Sequence, residues 1–136
     1  MIQRKQTLFI LISLVFTFLI IFSVDLINSK KCNLILNSAN ESALSIFFYA
    51  SFLIGLISIF LYKNRLLQHK ICLLNMYFHV CPIIFSVCYI FDSKCYPNIT
   101  ELTGLFFIGI SLIFYWLAAR YIKKDEELIK SIDRIR

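Results

Sequence analysis

The sequence predicts an all-α integral membrane four-helix bundle with both termini cytoplasmic and an amphipathic C-terminal tail. Three observations predict it. Apolar residues make up 60% of the 136 positions and charged residues only 16%, against about 45–50% and about 25% in soluble domains; mean hydropathy is +0.79. Four stretches are long and apolar enough to cross roughly 30 Å of hydrocarbon at about 1.5 Å per residue. Every Asp, Glu, Lys and Arg lies outside those stretches.

The spans run from about Thr7 to Val24, Ala43 to Tyr62, Ile71 to Phe91 and Leu102 to Ala119. Backbone groups in lipid must bond within their own segment, so helices are the expected form. The runs Leu8–Ile12 and Leu14–Phe16 are continuous and do not alternate as barrel strands would. The first stretch reads as an uncleaved span, because its apolar core is long and no small-x-small cleavage pattern follows Val24. Residues 1–120 therefore form the membrane domain and 121–136 a basic tail.

Orientation follows from the Lys and Arg flanks. Eleven lie before span one, between spans two and three, and after span four. Three (Lys30, Lys31, Lys94) lie in the other two loops, and acids divide four and four. The eleven-residue side is expected in the cytoplasm, and the protein in the bacterial inner membrane. Anionic lipid headgroups are the nearest partner for such a charge, and nucleic acid is not an expected one.

The third span carries the chemistry. Cys72, Asn75, His79, Pro82, Ser86 and Tyr89 follow one another at steps of three and four, which places them on one stripe of a helix. A polar stripe within lipid should face protein or water, so Asn75, His79, Pro82 and Ser86 form the candidate intramembrane site. An ionisable His79 at mid-span suits a proton relay, a hydrogen bond to a quinone or substrate, or a hydrogen bond between helices. Paired-histidine haem ligation is disfavoured because His69, the other histidine, lies at the edge of the bilayer. No cofactor or metal is expected.

Small residues recur on the other spans at helical spacing: Ser13 and Thr17; Ser51, Gly55 and Ser58; Gly104, Ser111 and Ala118, with Tyr115 between them. Such patterns let backbones approach and specify packing. Cys32 and Cys95 fall in the two outer loops and are a candidate disulfide if that side is oxidising. The sequence holds no zinc spacing, nucleotide loop or Ser-His-Asp arrangement.

The tail continues as a helix without Gly or Pro, with Ile122, Leu128, Ile129, Ile132 and Ile135 on one arc and Lys123, Lys124, Lys130 and Arg134 on the wetter side. Such a segment either lies among headgroups or docks a partner helix.

Two terminal segments carry a resemblance. One is Met1-Ile2-Gln3-Arg4 with Gln6-Thr7; the other is Ala119-Arg120, Ile122-Lys123-Lys124-Asp125-Glu126-Glu127-Leu128, Ser131 and Asp133-Arg134-Ile135-Arg136. Together they resemble a family of small four-span membrane proteins of Bacteroidetes, a domain of unknown function. The resemblance implies an inner-membrane protein and carries no activity, cofactor or catalytic residue. A defined order of alternating charges needs a reader, so Gln3, Arg4, Lys123, Lys124, Asp125, Glu126, Glu127, Asp133 and Arg134 form a candidate cytoplasmic docking surface. The leading expectation is a non-enzymatic accessory or interaction protein that engages a protein or lipid partner there. The alternatives are a small quinone- or thiol-linked redox protein using His79 and Cys32/Cys95, and a solute carrier acting as an oligomer.

Overall fold

A computed structural model describes residues 5–29, 34–36, 42–61, 64–94 and 97–133. Among them four helices are long and apolar enough to cross a membrane: α1 (Lys5–Phe22), α2 (Ser42–Phe60), α3 (Arg65–Ser93) and α4 (Thr103–Asp133). The protein is a multi-pass membrane bundle. Each helix packs against its neighbours in sequence and α1 closes the ring on α4, leaving α1 diagonal to α3 and α2 to α4.

Short connections dictate this order. Between α2 and α3 the chain turns within a few residues, and Asn64 starts α3 by accepting the Leu67 amide on its side chain at 3.4 Å. Lys94 ends α3 in the left-handed region, with φ 52°, and its amide donates to the Phe91 carbonyl. Along the α1–α4 seam, Phe9 stacks on Phe114 and Tyr121, and Phe16 lies against Phe107 and Phe114. Aliphatic and aromatic residues such as Leu8, Leu53, Tyr77, Phe91 and Phe106 point outward, which is the surface that hydrocarbon requires.

The tail is not a separate element. At 31 residues α4 is the longest helix, about 46 Å at 1.5 Å per residue, and it outruns the roughly 30 Å of hydrocarbon by several turns. The Arg65 guanidinium donates to the Asp125 carbonyl at 3.3 Å, tying the start of α3 to this extension. Ile122 is fully buried, whereas Leu128 and Ile129 are exposed.

A two-stranded antiparallel hairpin, β1 (Ile27–Ser29) and β2 (Leu34–Leu36), is the one non-helical layer among the described residues, and the apolar pattern of the first loop does not foretell it. Strands of three residues are too short to show a period. The hairpin closes the bundle at the end away from the α4 extension. Leu26, Ile27 and Leu36 are fully buried there with Ile20, Leu44, Phe48 and Ile108. Gly104 makes the contact possible: a Cβ at that position would stand 2.5 Å from the Leu26 Cα and 2.6 Å from the Asp25 carbonyl oxygen. Both are backbone atoms and cannot rotate aside. Gly104→Ala is therefore expected to destabilise the bundle by about 1–3 kcal/mol through overpacking, read as an earlier transition in detergent unfolding. Gly109→Ala on the same helix meets nothing within 4 Å and should be neutral or mildly stabilising, since alanine favours helix by about 0.8–1.0 kcal/mol over glycine.

Candidate functional site

The buried residues of α3 are Gln68, Cys72, Asn75, Pro82, Ser86 and His79. The helix runs unbroken through Pro82, and the Ser86 hydroxyl donates to the Pro82 carbonyl at 2.8 Å. Cys81 and Cys88 lie on the exposed flank, and Tyr89 is half-buried at the stripe's end.

His79 is fully buried and reaches every other helix of the ring. Its Nδ1 is 2.9 Å from the Asn75 backbone carbonyl oxygen. A carbonyl only accepts, so Nδ1 carries the proton and donates, and the Ser51 hydroxyl on α2 lies on the same side at 3.3 Å. No acidic side chain lies in the apolar stretches Thr7–Val24, Ala43–Tyr62, Ile71–Phe91 and Leu102–Ala119 to balance an imidazolium, so the buried ring is neutral and Nε2 accepts. The Ser111 hydroxyl on α4 donates to it at 2.9 Å. Thr17 on α1, the diagonal helix, places its oxygen 3.2 Å from Nε2 and gives its own proton to the Ser13 carbonyl at 2.9 Å. Thr17 and Ser111 oxygens are 3.4 Å apart. Both ring nitrogens are engaged, and four helices meet at one imidazole.

A second layer lies one turn toward the α4 extension. The Tyr115 ring packs 5.3 Å from His79, centroid to centroid. Its hydroxyl faces Ser13 and Asn75 without closing a well-formed hydrogen bond to either. Gly55 admits that hydroxyl: a Cβ there would be 2.5 Å from Tyr115 Oη, 2.7 Å from Leu14 Cδ2 and 3.2 Å from Asn75 Nδ2. Beyond it, the Gln68 amide donates to the Ser58 carbonyl at 3.0 Å, and the Ser58 hydroxyl donates to the Gly55 carbonyl. Gln6 on α1 is also buried.

Sequence reasoning passed over Gln6 and Gln68. The signal for each exists: Gln68 extends the α3 stripe by one step of four, and Gln6 begins the run Gln6, Ile10, Ser13, Thr17 on α1. Spacing treats Thr17, Ser51 and Ser111 only as packing residues, whereas here they are the partners of His79.

At the far end of α4, Leu117, Arg120, Tyr121, Lys123, Lys124 and Glu127 line a cleft of about 560 Å³. The Arg120 guanidinium also stands 4.7 Å over the Trp116 ring. Lys123, Lys124 and Glu127 are exposed, and Asp125 and Glu126 half-buried. Gln3, Arg4 and Arg134 lie outside the described residues, as do the Asp133 side chain and the Cys32/Cys95 pair. Among the described residues no group of three His, Cys, Asp or Glu could hold a metal.

The sequence profile of a family described as a domain of unknown function (DUF4293) matches residues 2–135. No curated protein and no solved structure matches the chain.

Proposed function

The chain belongs to the DUF4293 family, and from that premise we propose that it is a non-enzymatic accessory protein of the bacterial inner membrane, with the extension of α4 as its working surface in the cytoplasm. The observation that carries this reading is the basic cleft where α4 leaves the span: Arg120, Lys123 and Lys124 against a single lining carboxylate, Glu127. Helical spacing brings Arg120, Tyr121, Lys124 and Glu127 to one face. Trp116, under Arg120, suits the level of the headgroups. The ligand this arrangement fits is the phosphate of an anionic phospholipid, at about 1 kcal/mol for each cation near the surface. The mixed charges further along, with exposed Leu128 and Ile129, then stand clear of the lipid to meet a protein partner. The interior supports this division of labour, because both nitrogens of His79 are spent on holding helices together.

Lipid carried through purification in polymer nanodiscs tests the reading. The native chain should be enriched in anionic over zwitterionic phospholipid. A triple variant, Arg120→Gln with Lys123→Gln and Lys124→Gln, should lose that enrichment while keeping the same unfolding transition. Equal lipid composition around the two proteins overturns the lipid arm. A photo-crosslinker at Leu128 tests the other arm in intact cells: adducts with lipid alone would refute a protein partner.

A further inference from the structure

The two halves of the bundle interior differ in kind. Toward the hairpin, the buried cluster is Ile20, Ile21, Leu26, Leu44, Phe48, Ile108 and their apolar neighbours, and the buried polar residues there are Ser86, whose hydroxyl donates to the Pro82 carbonyl, and Ser29. Toward the basic end, they include Gln6, Ser13, Ser58, Gln68, Asn75 and Tyr115, each 1% exposed or less. In that second half the polar atoms outnumber their partners. Gln6 Nε2 and Oε1, Gln68 Oε1, Asn75 Nδ2 and Oδ1, and Tyr115 Oη are buried without a well-formed hydrogen bond in the protein, the Tyr115 hydroxyl facing Ser13 and the Asn75 side chain without closing a bond to either. Among the described residues the one other such atom is Ser29 Oγ in the hairpin.

Six such atoms clustered on one side are not tolerable in a dry interior. Each buried group left unmatched keeps the full cost of its lost hydration, and the stability of a folded domain is too small a margin to carry six of them. Something must bond to them. The chemistry of the lining selects what. The set carries no charge, so neither an anion nor a cation is matched there. It offers donors (Gln6 and Asn75 amides, Tyr115 hydroxyl) and acceptors (Gln6, Gln68 and Asn75 carbonyls) in similar number. A small neutral molecule that both donates and accepts answers such a lining, and that molecule is water.

We infer that the basic-end half of the bundle holds a file of bound waters running from Gln6 and Gln68 to Asn75 and Tyr115, ending one layer short of His79. At about three hydrogen bonds per buried water, six atoms call for at least two or three waters. The file is one-sided. His79 and its hydroxyl partners close its inner end, and the apolar hairpin half seals the other side. The water thus lies on the basic-end side of His79.

The experiment is water-edited solid-state NMR on the full chain in lipid bilayers, with Asn and Gln side-chain amides labelled. Polarisation from water should arrive at the Gln6 and Asn75 amides as early as at exposed Asn28 and Asn64. Gln6→Leu combined with Gln68→Leu, which caps the file with apolar side chains, should abolish early transfer to Asn75 and leave Asn28 and Asn64 unchanged. Transfer to Gln6 and Asn75 as slow as to the lipid-facing backbone of α2 overturns the inference. So does early transfer to Asn75 that survives the double substitution, since water would then enter elsewhere. The native-chain measurement decides the presence of water even if the variant does not fold.

Discussion

Replacing His79 by alanine is expected to lower the unfolding free energy of the bundle by roughly 2–4 kcal/mol. The substitution acts in two ways. It removes the acceptor for Ser111 and the ring to which Thr17 and Ser51 converge; interhelical hydrogen bonds of this kind average about 0.6 kcal/mol and reach about 1.7. It also leaves a void beside Tyr115 where the ring was, and the lining of an empty cavity loses its dispersion contacts. The loss is bounded because Thr17 keeps its bond to the Ser13 carbonyl, and Ser111, 3.3 Å away, can turn to the same oxygen. Reversible unfolding by SDS in mixed micelles, followed through the single tryptophan, measures it. His79→Gln retains both a donor and an acceptor and should recover part of the loss. Recovery by glutamine of any cellular phenotype as well would fit a structural clamp and exclude a proton-relay role for the imidazole, since an amide does not titrate. An alanine variant that unfolds at the native SDS fraction would show that the four-helix junction carries no stability.

Gly55→Ala should cost a comparable amount, about 1–3 kcal/mol, and Gly55→Leu should prevent the native packing altogether. The added Cβ would meet Tyr115 Oη at 2.5 Å and Leu14 Cδ2 at 2.7 Å. Both side chains are buried, Tyr115 completely and Leu14 to 5% exposure, so neither can swing into lipid without opening the core. The cause can be isolated. Tyr115→Phe removes the oxygen that the new methyl strikes and should relieve much of the Gly55→Ala penalty. The double-mutant cycle should give a coupling of about 0.5–3 kcal/mol, the range for residues in contact. Additive single effects would place the clash on Leu14 instead.

Much of the frame is legible before any coordinate is known. The spans announce themselves because hydrocarbon imposes a length and a composition on each segment separately. The α3 stripe is legible for a related reason: a helix repeats every 3.6 residues, so steps of three and four place Cys72, Asn75, His79, Pro82 and Ser86 on one face whatever surrounds it. The exposed set Lys123, Lys124 and Glu127 is equally plain in the charge pattern of the tail. Gln6 and Gln68 fit the helical spacing but their burial is not legible, because a glutamine near the end of a span reads as a residue at the water boundary. Burial of Gln6 beneath the helix ends depends on how deeply α1 sits among its neighbours.

Charge, hydropathy and periodicity by themselves determined that this protein is a four-span helical membrane bundle, which face of α3 is polar and where its cations collect. These are properties of one segment at a time, and local sequence suffices for them. Only the tertiary structure decided that Thr17, Ser51 and Ser111 converge on His79, that Gly55 admits a tyrosine hydroxyl, that Gly104 seats a hairpin and that unmatched amides gather at one end. Each of those is a meeting of side chains from different elements. It turns on the rotation and depth of one helix against another, and periodicity within a single helix carries no record of either.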